Sequence, residues 1–97
     1  MHDTFIYLMN AYFYQDWQSE YSGMSGDDTN VLIRFTQNES LEVVTNLVTD
    51  VKYILNNDLA KQIFDTNEFD FDPLLYGYIS EKEWFEIAYK KLISETK

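Results

Sequence analysis

Residues 72–83 fall in the register of an oxygen-ligand calcium loop, because Asp72-x-Leu74-x-Tyr76-Gly77-x-Ile79-Ser80-x-x-Glu83 puts Gly, Ile and Glu where such a loop needs them. Leu74 and Tyr76 occupy positions that must supply oxygen, and hard cations take about six to eight oxygen ligands. The register therefore carries no calcium site. His2 is the only histidine and stands beside the N-terminus, so neither a His-based metal site nor a Ser–His pair is assembled. Absence of cysteine removes disulfides, zinc thiolates, iron–sulfur clusters and thiol nucleophiles together. Asp70 and Asp72 form a carboxylate pair of the kind used in acid–base work. In a chain with 17 acids, however, such pairs arise by chance. No glycine-rich phosphate loop is present. The expectation is a protein without cofactor, metal or catalytic site.

What remains is charge. The formal net charge is −10, which argues against nucleic acid or an anionic membrane as partner. Residues 1–33 carry Asp3, Asp16, Glu20, Asp27 and Asp28 with no Lys or Arg, and residues 62–81 carry Asp65, Glu68, Asp70, Asp72 and Glu81, again with none. Those two stretches account for the whole excess, since the rest of the chain is balanced. One reading is solubility. The other is a pair of acidic loops forming a face complementary to a basic protein. Tyr14 and Tyr21, set among acids and glycines, suit surface anchors in such a face. Asp16 fits either that face or the N-cap of a helical turn starting at Trp17.

The elements that must position these acids read as helices. Phe5, Leu8, Met9, Tyr12 and Phe13 keep one-face helical spacing over about 4–14, with Asp3 or Thr4 as cap. Segment 15–28 reads as a loop, with room for one helical turn around 16–21. Val31-Leu32-Ile33-x-Phe35 is assigned a short helix capped by Asp28 or Thr29. Leu41, Val44, Val48, Val51 and Leu55, widened by Leu47 and Ile54, mark a central packed helix over 40–56 with Ser40 as N-cap. Asn56-Asn57-Asp58 ends it and caps a shorter helix to about Phe64 or Asp65, with Leu59, Ile63 and Phe64 inward. Segment 66–79 is so apolar that it must be held against the core. Ser80 and Glu83 form a capping box for a last helix over 81–94, burying Trp84, Phe85, Ala88, Tyr89 and Leu92. The expected fold is all-α: a single domain over 1–97, a bundle of four to five helices with an aromatic-rich loop before the last.

Met1-His2-Asp3-Thr4 lacks the basic and apolar regions of a signal peptide, and no apolar run approaches the roughly 18 residues of a membrane span. A soluble cytoplasmic protein is expected.

The stretch Tyr12-Phe13-Tyr14-Gln15-Asp16-Trp17 resembles the opening of small bacterial immunity proteins from contact-dependent growth inhibition systems. Ile54-Leu55 is similar to the end of that family's middle helix. Pro73, Gly77 and Trp84-Phe85 look like its proline and glycine turn and the aromatic start of its last helix. The resemblance implies a non-catalytic protein that binds the C-terminal toxin domain of a contact-delivered effector. Such toxins are often nucleases, whose active sites are basic because they hold phosphates. The implied toxin-binding face comprises Asp16, Glu20, Tyr21, Asp27, Asp28, Glu68, Asp70 and Asp72. An acidic adaptor or nucleic-acid mimic for another basic protein is the alternative.

Overall fold

The computed structural model describes residues 2–13 and 27–96, and among them the regular structure is helical throughout. Five α-helices follow in order: α1 (Asp3–Ala11), α2 (Asp27–Asn38), α3 (Leu41–Asn56), α4 (Ala60–Thr66) and α5 (Glu81–Thr96). A 3-10 turn, Pro73–Tyr76, lies between α4 and α5. The all-α bundle expected from the helical spacing is what forms.

The hub is α5, not the expected α3. It packs against α2, α3, α4 and the 3-10 turn, while α1 lies on α3. Its Trp84, Phe85, Ala88 and Leu92 are buried at i, i+1, i+4 and i+8, one broad apolar face; Tyr89 is half-buried. Phe5 of α1 meets that face, with its ring 5.0 Å from Phe85 and 6.4 Å from Trp84. From α3 come Val44, Leu47, Val51 and Ile54, whereas Leu41, expected inward, is exposed. It is the first residue of the helix, one turn ahead of the buried stripe.

The caps show where local chemistry suffices. Ser40 Oγ accepts from the Val43 amide at 3.3 Å, and Ser80 Oγ accepts from the Glu83 amide at 3.1 Å. Glu83 reaches back one residue further than a standard capping box, accepting from the Ile79 amide at 3.2 Å. Helix α1 is different. Neither Asp3 nor Thr4 caps it; Asp50 of α3 accepts from the Thr4 and Phe5 amides at 3.1 and 3.0 Å.

Between α3 and α4 the chain turns through Asp58, whose φ is +54°. The Leu59 amide donates to the Ile54 carbonyl and the Asp58 amide to the Leu55 carbonyl, a Schellman closure with Asp58 where glycine is the usual residue. Asp58 is thus a turn residue and does not cap α4. The left-handed region costs an L-residue free energy that glycine avoids. Asp58→Gly is therefore expected to stabilise the protein by about 0.5 kcal/mol, and Asp58→Val to destabilise it by about 1 kcal/mol, read as opposite shifts of the thermal midpoint.

Candidate functional site

Segment 67–79 positions the exposed acids. Phe69 is half-buried, Asp70 exposed, Phe71 buried, Asp72 exposed and Pro73 buried, the alternation of an extended chain lying on a core. Phe71 is the deepest of these, its ring 4.6 Å from Phe13 and 5.2 Å from both Trp84 and Tyr76. The same alternation turns the carboxylates outward. Asp72 Oδ1 also accepts from the Leu74 amide at 3.0 Å and starts the 3-10 turn, which Gly77 ends at φ +92°. No atom lies within 4 Å of where a Gly77 Cβ would stand, so conformation alone favours glycine there.

The expectation that segment 66–79 is held on the core is met at Phe69, Phe71, Pro73 and Tyr78, while Leu74, Leu75 and Ile79 stand out from it. Leu75 and Ile79 are 79% and 85% exposed, and Leu74 is 47% exposed. These apolar side chains stand in water on the same segment as Glu68, Asp70 and Asp72, all exposed. Helical periodicity could not find them, because a four-residue turn has no periodic face.

Asp28 corrects the reading of the acidic loops. It lies in the first turn of α2, only 8% exposed, and accepts from Tyr78 Oη at 2.5 Å and from Trp84 Nε1 at 3.2 Å. Its carboxylate is committed to the interior and is neither an N-cap nor a surface contact. Burial, reinforced by the hydrogen bond to Asp28, holds the Tyr78 phenol protonated well above its ordinary range. Helix α2 is accordingly longer than the short apolar run Val31–Phe35 suggests.

Two contacts then define the site's layout. Phe13, before segment 14–26, packs its ring against that of Phe71; Asp28, just after it, accepts from Tyr78. Both flanks of segment 14–26 therefore meet the stretch carrying Glu68, Asp70 and Asp72. Asp27 is the first residue of α2. Asp16, Glu20 and Tyr21 lie outside the described residues, as do Tyr14, Trp17 and the helical turn expected at 16–21.

A second polar cluster went unread in the sequence. Glu39 accepts from Tyr7 Oη at 2.9 Å and Tyr12 Oη at 2.6 Å, tying α1 to the α2–α3 connection. Burial and Glu39 together push the Tyr12 phenol up to about 12. His2 packs its ring 5.4 Å from Tyr53 and borders a hollow of about 150 Å³ with Leu59, Gln62 and Ile63. That volume is below the roughly 300–1,000 Å³ of small-molecule sites.

Among the described residues, no group of three or more His, Cys, Asp or Glu is placed to hold a metal ion, and no helix is long and apolar enough to cross a membrane. The arrangement offers a surface of carboxylates and exposed aliphatic side chains, suited to contact with another protein. No curated protein and no solved structure matches the chain. The family model for the CdiI immunity protein matches residues 3–92, from the first residue of α1 into the last turns of α5, and the chain belongs to that family of toxin-neutralising immunity proteins.

Proposed function

We propose that this protein neutralises the C-terminal toxin domain of its cognate contact-dependent growth inhibition effector, a nuclease, by covering a basic active site with an acidic face. Asp16, Glu20, Tyr21 and Asp27 form one part of that face and Glu68, Asp70 and Asp72 the other. Asp28 acts beneath it as a fastener. The observation that carries this reading is the attachment of both flanks of segment 14–26, through Phe13 and Asp28, to the stretch that bears the second group of acids. Carboxylates there take the place of substrate phosphates, and their summed field accelerates encounter with a basic partner. The inhibitor itself needs no catalytic group, in keeping with a family that is generally non-catalytic.

The test is binding of the purified toxin domain encoded beside this chain. Asp27→Lys, Asp70→Lys and Asp72→Lys, combined, are expected to slow association by about ten- to a hundredfold at low salt, with the gap to wild type narrowing as salt screens it. Association and protection left at wild-type values would remove these acids from the interface. Failure to bind that toxin domain, together with tight binding of an unrelated basic protein, would favour the adaptor reading.

A further inference from the structure

The 3-10 turn and its exit present aliphatic side chains where the rest of the segment presents acids. Leu75 and Ile79 are 79% and 85% exposed, while Phe71 and Pro73 beneath them are 1% exposed and buried, respectively. The backbone between is closed on itself: the Leu75 amide donates to the Asp72 carbonyl at 3.1 Å, and the Gly77 and Tyr78 amides donate to the Pro73 carbonyl. Tyr78 is in turn held by Asp28. The aliphatic side chains therefore stand on a turn already fixed in place, so little ordering entropy is lost when a partner covers them.

We infer that Leu74, Leu75 and Ile79 are the apolar anchor of the toxin interface, filling a hydrophobic pocket that borders the toxin's basic surface. This rests on the proposed toxin-binding reading and adds a division of labour to it. The acids set the rate of encounter, and the aliphatic turn sets the rate of release, as desolvated apolar anchors do inside a polar rim. Charge selects the occupant. A second copy of this chain would bring its own Asp70 and Asp72 against the first at a formal −10 per chain, and an anionic lipid surface would be repelled in the same way. A protein whose apolar pocket is edged by Lys and Arg satisfies both the aliphatic side chains and the carboxylates around them.

Leu75→Ala with Ile79→Ala removes the two most exposed side chains of the anchor without touching the core, so thermal unfolding should match wild type. Binding kinetics with the purified toxin domain should show dissociation about thirtyfold faster, the scale of a hot-spot truncation, with association changed less than about twofold. Glu68→Lys with Asp70→Lys, which spares the Asp72 cap of the turn, should give the converse, slower association with little change in dissociation. Dissociation at the wild-type rate from the alanine variant would overturn the anchor while leaving toxin binding intact. Absence of any wild-type binding would overturn both readings at once. A dimer of the free protein that Ile79→Ala dissolves would reassign the turn to self-association and overturn the anchor.

Discussion

Asp28→Ala is expected to lower folding stability by about 2–4 kcal/mol, with a thermal midpoint depressed by roughly 10–25 °C for a domain of this size. The carboxylate is acceptor for two donors, the Tyr78 phenol and the Trp84 indole. Hydrogen bonds to a charged group contribute about 1.5–3 kcal/mol, and a donor left buried without a partner adds its desolvation cost. Trp84 is 1% exposed and water cannot replace the lost acceptor there, whereas half-buried Tyr78 can recover part of its loss. Asp28→Asn keeps one carbonyl oxygen for the indole and should cost about half as much. Alkaline unfolding supplies an independent readout. Because the folded state raises the Tyr78 pKa, its contribution is complete below the tyrosine's ordinary value of 10.0 and is lost as pH rises above it. Wild type should therefore lose stability above that pH somewhat more steeply than Asp28→Ala, in which burial still raises the phenol but the part supplied by Asp28 is gone. Equal midpoints for wild type and Asp28→Ala at neutral pH would mean that the two donors find other partners.

Phe71→Ala should be at least as damaging, at about 3–5 kcal/mol, the range for deleting a large buried aromatic side chain. Its ring touches Phe13, Tyr76 and Trp84, so the cavity would open among aromatic neighbours contributed by different parts of the chain. Offset and tilted ring pairs add about 0.5–1.5 kcal/mol beyond area burial, and these are lost too. Phe71→Leu separates volume from stacking: it refills most of the space, should cost under about 1.5 kcal/mol, and leaves a folded protein. Chemical denaturation of both variants checks the values. A cost below about 1 kcal/mol for the alanine variant would show that the segment does not depend on Phe71 for its place on the core.

Much of the fold was legible because it is local. Ser40, Ser80 and Glu83 cap from within four residues, and the stripes Val44–Val51 and Trp84–Leu92 repeat at helical spacing, so each could be read from its own neighbourhood. Leu41 and Asp58 were misread within their own helix ends, and the other polar misses involve distance along the chain. Asp28 looked like a cap or a surface acid because its partners lie 50 and 56 residues away. Glu39 gave no sign of its two tyrosines, which are 32 and 27 residues distant. Within segment 66–79, composition announced burial, and Phe71 is buried; composition could not tell that Leu75 and Ile79 would be left outside once the tight turn had formed. Of the acids assigned to the face, the alternation Phe69-Asp70-Phe71-Asp72 already carried the information that rings go one way and carboxylates the other.

The borrowed cap on α1 bears on the order in which the molecule assembles. Nine residues are too few to hold a helix in water by themselves, and the acceptor for the first amides is supplied by Asp50, more than forty positions downstream. During synthesis the N-terminal helix thus has nothing to nucleate on until α3 has emerged and coiled. A polypeptide ending before Asp50 would lack that acceptor, so the first helix is expected to settle no earlier than the third.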